Sequence, residues 1–136
     1  DASGLAFKGL QRRIDLVRTR VQGLIDAAHR QGQPVDAYGA STKFNTLLQV
    51  CGLNASHIRQ IAERQPQKVG LETGGSRIPI VNEETWRADP APTTIGAIWQ
   101  FRPQILQREA AYLAGGGTWV FALPEIDVVH AATAVR

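Results

Sequence analysis

The sequence predicts an α/β fold with three layers: a mostly parallel sheet of about four to five strands, covered by helices and preceded by a long leading helix. Short apolar segments typical of strands alternate along the chain with segments whose apolar residues recur every three to four positions. Such alternation is typical of helices that wrap a parallel sheet. The length of 136 residues and the hydrophobic fraction of 43% suit a single domain with a substantial core.

The leading helix is the longest predicted element. Apolar residues at spacings of three and four predict a helix from about Leu5 to Arg30. At 1.5 Å per residue this helix is roughly 35–40 Å long, and Gly32 with Pro34 ends it. A helix of this length fits either packing on a sheet or a connection to an upstream domain. We expect residues 1–34 to make that connection and residues 35–136 to form the domain that contains the sheet.

A strand, a turn and a second helix follow. The apolar segment Val35–Tyr38 is predicted to be a short strand, and residues 39–41 form the turn after it. Ser41 or Thr42 is suited to cap the helix that follows, and Gly52 is suited to end it. The apolar positions of this helix are Phe44, Leu47, Leu48 and Cys51.

The rest of the chain repeats the alternation. Asn82 is predicted to begin a short helix, and three consecutive glycines end another helix that starts near Phe101. The extended segment Arg77–Val81 contains Pro79, which suits an edge position. The remaining predicted strands lie within His57–Ala62, Thr93–Trp99 and Thr118–Leu123.

Composition excludes several classes of partner. The net charge is +3, and the densest basic group lies on the leading helix with Asp15 among it. A nucleic-acid surface needs a longer basic stripe with interleaved aromatic residues, so we expect a solvated helix face and no nucleic-acid partner. The longest apolar runs are far shorter than a membrane span, so no membrane partner is expected. The basic group consists of Arg12, Arg13, Arg18 and Arg20.

The reactive side chains predict neither a metal centre nor a complete catalytic set. The single cysteine, Cys51, falls on an apolar helix stripe and is predicted to be a small buried residue, which favours a cytoplasmic location. His29, His57 and His130 have no metal-ligand spacing, so no metal is expected. The chain contains no methionine and starts at Asp1, from which we expect a fragment of a longer protein.

Polar and glycine-rich segments follow the predicted strands where ligands bind to open parallel sheets. Gly39 permits a sharp turn, and Ser41, Thr42 and Lys43 add hydroxyls and a charge at a helix N-terminus that favours an anion. Glu63 follows the second strand, where an acidic residue binds ribose hydroxyls in dinucleotide-binding folds. This segment fits an anionic ligand, but the short motif alone favours a plain strand-to-helix turn with a hydroxyl cap.

Two further interpretations stay open at this point. Glu63 and Arg64 also fit an exposed ion pair of little energetic value. The loop over residues 70–77 holds three glycines and fits either a mobile lid or a flexible surface connection.

Five collinear segments carry a resemblance to a known family. They are "YGASTKFNTLLQVCGL", "ERQPQKVG", "GGSRIPI", "IWQFRPQI" and "GGGTWVFALPE". In this order and spacing they resemble the C-terminal domain of the sugar C-methyltransferases, over about Val35 to Glu125. Those enzymes transfer a methyl group from S-adenosylmethionine to a carbon of a nucleotide-linked keto-sugar.

The match to the family motifs is partial. The first motif is matched by Gly39, Ala40, Ser41, Lys43, Asn45, Thr46, Leu47 and Leu48, while Phe44 replaces a glycine. The second is matched by Arg64, Pro66, Lys68 and Gly70, with Glu63 and Gln65 as conservative departures. Gln100 and Gln104 stand where the fourth motif usually has Asn and Glu.

The resemblance implies a Rossmann-like domain at the substrate side of a methyltransferase. It implies that S-adenosylmethionine and the catalytic base belong to an upstream domain, so this fragment alone is expected to be inactive and to contain no catalytic residue. The expected ligand is a nucleotide-sugar-like small molecule. The substrate-binding residues it implies are Gly39, Ala40, Ser41, Thr42, Lys43, Glu63, Arg64 and Lys68.

Two other functions fit the same residues. A non-catalytic nucleotide-binding or regulatory Rossmann-like domain fits the turn at Gly39 with Glu63 after the second strand. A structural module is the other alternative, in which the long leading helix mediates association.

Overall fold

The computed structural model describes residues 2–98, 102–123 and 127–130. Helices and strands alternate through most of this chain, as the sequence predicts. The helices are α1 (Ala2–Arg30), α2 (Thr42–Cys51), α3 (Glu83–Ala88), α4 (Arg102–Arg108) and α5 (Ala110–Ala114). The strands are β1 (Val35–Tyr38), β2 (Ile61–Glu63), β3 (Ile80–Asn82), β4 (Thr93–Ile98), β5 (Thr118–Leu123) and β6 (Asp127–Val129).

The strands form one sheet in the order β3-β2-β1-β4-β5-β6. The first five strands are parallel, and β6 runs antiparallel to β5. From β1 the chain builds outward to β2 and β3, then returns to place β4 on the other side of β1. This reversal of direction is typical of a Rossmann-like sheet, and the predicted fold class is confirmed.

Two apolar clusters cover the two faces of the sheet. On one face, α1 and α2 pack on strand residues, and the cluster includes the fully buried Val21, Phe44 and Ile95. On the other face, a cluster of aromatic residues lies under α3 and α5 and contains Trp86 and Trp119. Cys51 is buried in the first cluster, as predicted. The domain therefore has three layers and its own closed core.

Helix α1 is buried along one half and exposed along the other. Its second half packs on α2 and β1, with Val21 and Ile25 in the core. The same apolar stripe continues toward the N-terminus at Phe7, Leu10 and Ile14, but there Phe7 is 67% and Leu10 56% exposed. Helix α1 has 29 residues, which makes it about 43 Å long, and residues 4–13 in its first half are all exposed. None of the helices in the described ranges is long and apolar enough to cross a membrane.

Three details differ from the sequence-based expectation. The sheet has six strands rather than four to five; the strand that the sequence does not predict is β6, whose three residues show no clear periodicity. Strand β2 begins later than predicted, at Ile61. The predicted helix after β4 is divided at Glu109, whose backbone leaves the helical region at φ −102° and ψ 26°.

The loop between β2 and β3 is an ordered connection. Glu72 and Pro79 form an antiparallel bridge, and the Thr73 N–H donates to the Ile78 carbonyl at 2.9 Å. Thr73 and Ile78 are both buried, so this loop is anchored to the core. These contacts favour a fixed surface connection over a lid.

The two tyrosines of the chain give the fold a pH dependence. Burial, with the charge of Glu83, raises the pKa of Tyr38 to about 12, and burial raises the pKa of Tyr112 to about 12. An unfolded tyrosine loses its proton near pH 10, so between pH 10 and 12 the unfolded state releases protons first. The free energy of unfolding is therefore expected to fall as pH rises through this window.

Absorbance at 295 nm, where tyrosinate absorbs, measures this effect. The native chain is expected to titrate near pH 12, and the same chain in concentrated urea near pH 10. A native midpoint near pH 10 contradicts the buried positions of the two phenols.

Candidate functional site

The candidate site lies at the carboxyl ends of β1 and β2. After Tyr38 the chain turns at Gly39, whose φ of +90° is a conformation that favours glycine. The Gly39 N–H donates to the carbonyl of Ala62 in β2 at 2.8 Å. Ser41 then caps α2, because its Oγ accepts the Phe44 N–H at 3.2 Å. The turn therefore places the N-terminus of α2 at the carboxyl ends of β1 and β2.

Glu63 is a buried residue whose carboxylate faces the backbone. Its Oε2 accepts the Ala40 N–H at 2.8 Å. Its Oε1 accepts the N–H groups of Arg64 at 2.8 Å and Gln65 at 3.1 Å. The side chain is only 9% exposed as a residue, so the interpretation of Glu63 and Arg64 as an exposed ion pair is wrong.

Lys68 also binds Ala40, through the carbonyl group of that residue. It lies in a single 3-10 turn, Pro66–Lys68, and its Nζ donates to the Ala40 carbonyl at 2.8 Å. The N–H of Ala40 is thus held by Glu63 and its carbonyl by Lys68. We call these three residues the Ala40 clamp. The clamp joins the loop after β1 to the loop after β2.

Arg64 pairs with a residue outside the clamp. Its side chain is 64% exposed, and its Nε lies 3.1 Å from Glu83 Oε1, an ion pair whose geometry falls outside that of a hydrogen bond. Glu83 also pairs with Arg87, which binds the buried Glu109 at 2.7 Å. A cavity of about 350 Å³ is lined by three of these ionic residues together with Glu63 of the clamp. Its lining residues are Glu63, Arg64, Asn82, Glu83, Glu84 and Arg87.

The structure brings most of the predicted site residues together. Five of them lie at the carboxyl ends of β1 and β2, and Arg64 borders the adjacent cavity. The five are Gly39, Ala40, Ser41, Glu63 and Lys68. The side chains of Thr42 and Lys43 lie outside the described residues, as does the segment 99–101 after β4. Within the described ranges, no group of three or more metal-ligating side chains is present.

The sequence does not reveal the ionic network behind the site. Arg87 connects Glu83 with Glu109, and Arg108 pairs with Glu109 while donating to the Tyr38 hydroxyl at 2.8 Å. The hydrogen bonds that Arg87 donates to Glu109 and Glu83 raise the pKa of Arg87 above its usual range. The spacing of Glu83 and Arg87 on one helix is a signal for the first pair, but Glu109, the other partner of Arg87, lies between α4 and α5.

A larger cleft lies at the amino ends of strands β4 and β5. Its volume is about 450 Å³, and it is bordered by Trp86 and Tyr112, by the prolines that precede β4 and by the glycines that precede β5. The amino ends of parallel strands are not where ligands bind in open α/β sheets. We therefore place the candidate site at the carboxyl ends of the parallel strands.

A comparison with protein families identifies the domain. The family model described as the C-methyltransferase C-terminal domain matches residues 3–124. The chain belongs to this family. It is also 32% identical over 115 residues to C-methyltransferase NovU of Streptomyces niveus. The match covers 85% of this chain and 27% of that relative, so the C-methyltransferase C-terminal domain spans about a quarter of the length of the enzyme it resembles.

Proposed function

We propose that this chain is the substrate-side domain of an S-adenosylmethionine-dependent C-methyltransferase and that it helps to bind a nucleotide-linked keto-sugar. Membership of the C-methyltransferase C-terminal domain family supports the reaction class. The capped N-terminus of α2, presented by a glycine turn at the carboxyl edge of the sheet, is the observation that carries the binding role.

The proposed contact is between the diphosphate of the substrate and the start of α2. The first N–H groups of a helix and its dipole favour a negative charge, and Lys43 stands in the first turn. A diphosphate held here, away from the reacting carbon, contributes binding energy and orientation. Methylation next to a ketone also needs a base and enolate stabilisation, which we assign to another domain of the enzyme.

The residues of the clamp do not fit S-adenosylmethionine. A ribose-binding acid in a Rossmann-like cofactor site presents its carboxylate to the ligand, whereas Glu63 is buried and binds three backbone N–H groups. We therefore place the cofactor in a domain upstream of this one, and no step involving it is assigned to these residues.

The exposed half of α1 is proposed to contact that upstream domain. Phe7, Leu10 and Ile14 continue the stripe that Val21 and Ile25 bury in the core. Removing such a stripe from water is favourable, and three quarters of the relative's length lies outside the matched region. We thus treat residues 1–34 as the connection between the two domains and residues 35–136 as the Rossmann-like unit.

Titration with nucleoside diphosphates tests the binding role. Amide resonances of the ¹⁵N-labelled chain are recorded with UDP, TDP and GDP, and shifts are expected at residues 41–44 with a Kd in the millimolar range. Replacing Lys43→Ala is expected to weaken binding roughly tenfold, about 1.4 kcal/mol. The exposed Lys8→Ala is the control and is expected to leave binding unchanged.

Two other outcomes of this titration would decide against the proposed binding role. Shifts confined to a surface away from α2 contradict the proposed site. Micromolar binding by this chain alone favours the alternative function, a non-catalytic nucleotide-binding or regulatory domain.

A further inference from the structure

We infer that Glu63 and Lys68 are positioning residues for the nucleotide and do not contact it, so that the site takes ribonucleotides and 2′-deoxyribonucleotides alike. This inference rests on the proposed function, since it concerns the same loop. It differs from the usual arrangement of a Rossmann-like site, in which the acid after the second strand binds the ribose hydroxyls.

The hydrogen bonds of Glu63 support a positioning role. Three backbone N–H groups, from Ala40, Arg64 and Gln65, lie 2.8–3.1 Å from its two carboxylate oxygens. Because two of these N–H groups belong to the residues directly after β2, the carboxylate folds back onto its own loop. A buried carboxylate that turned toward a ribose would leave these donors without partners, which is unfavourable.

Lys68 completes the arrangement through a second, independent contact. Its ammonium group binds the Ala40 carbonyl at 2.8 Å, and its side chain is half-buried. Ala40 stands between Gly39, which has a left-handed backbone conformation, and Ser41, the cap of α2. Fixing both polar groups of Ala40 therefore fixes the direction in which α2 starts. The N–H groups proposed to meet the diphosphate depend on that direction.

A specificity consequence follows from this geometry. With Glu63 turned to the backbone, this carboxylate does not read the 2′-hydroxyl of the nucleotide. This domain therefore adds no preference between ribose and 2′-deoxyribose in the nucleoside diphosphate sugar.

Binding of UDP and of 2′-deoxy-UDP to the full-length enzyme tests the specificity consequence. These two probes differ only in the 2′-hydroxyl. The wild-type enzyme is expected to bind both with similar affinity. Glu63→Gln and Lys68→Met are each expected to weaken both probes by the same factor, roughly tenfold, and Lys68→Arg is expected to restore most of the loss. A loss confined to UDP in Glu63→Gln overturns the inference, because it shows a direct ribose contact.

Amide hydrogen exchange without nucleotide tests the positioning role itself. In Glu63→Gln the N–H of Ala40 is expected to exchange at least tenfold faster than in the wild type, while the exposed Glu72→Gln serves as the matched control and leaves it unchanged. If Glu63→Gln does not fold, Lys68→Met provides the same readout from the carbonyl side. Unchanged exchange at Ala40 in both variants overturns the positioning role. Absence of nucleotide binding by the wild-type enzyme, with faster exchange in the variants, instead overturns the proposed function and the specificity consequence.

Discussion

Replacing Asp36→Ala is expected to lower the free energy of unfolding by about 3–5 kcal/mol. Asp36 is fully buried in β1, and its carboxylate accepts two hydrogen bonds from Arg59 at 3.0 and 2.8 Å. It also accepts the Gln60 amide at 3.1 Å and the Ala91 N–H at 2.9 Å. Alanine leaves all of these donors without their partner, and the loss is a large fraction of the stability of a domain of this size.

Urea denaturation of the chain, followed by far-UV circular dichroism, measures the change. Asp89→Ala is the matched control, since Asp89 pairs with the same Arg59 at 3.8 Å but its side chain is 92% exposed. That variant is expected to lose less than about 1 kcal/mol. Equal losses in the two variants contradict the assignment of the stability to burial of the Asp36 carboxylate.

The second large effect concerns activity. The 136-residue chain is expected to transfer no methyl group from S-adenosylmethionine, because the cofactor and the base are proposed to lie upstream. The full-length enzyme is expected to be active, and a paired change, Leu10→Glu with Ile14→Glu, is expected to reduce its rate at least tenfold. The reason is that charges in an apolar contact between domains are costly to bury.

The readout is incorporation of a radioactive methyl group, recorded together with the unfolding of the isolated chain. The paired change is expected to leave unfolding of the chain nearly unaltered, because Leu10 is exposed and Ile14 only half-buried there. Thr19→Glu, on another exposed side of α1, is the control and is expected to keep full activity. An active isolated chain, or a full rate in the paired variant, contradicts the proposed division between domains.

The parts of the fold that sequence predicts are those with local signals. Gly39, Ser41 and Gly52 each impose a backbone conformation or a cap on their immediate neighbours, and the structure has the predicted turn, helix start and helix end at these residues. The long stripe of α1 repeats over many turns and was equally clear. Local chemistry and periodicity therefore sufficed for the class of fold and for the position of the candidate loop.

The parts that sequence does not predict depend on contacts between distant residues. Glu63 and Lys68 bind Ala40 from 23 and 28 positions away, and the same residue types in the same motif fit direct ligand contacts. Glu109, where the predicted helix is divided, likewise binds a residue 22 positions earlier, Arg87. In these cases the residue type is visible in the sequence, but its partner is decided by the packing of the strands.

The two outermost strands of the sheet bear on how the protein behaves at high concentration. In the part of the chain that the structure describes, each outer strand has three residues, β3 on one side and β6 on the other. So short a row of backbone groups is a poor template for strand addition by another molecule. Intermolecular cross-strand pairing is thus disfavoured at both borders. We expect self-association of the isolated domain to involve the exposed apolar residues of α1 instead, Phe7 and Leu10 among them.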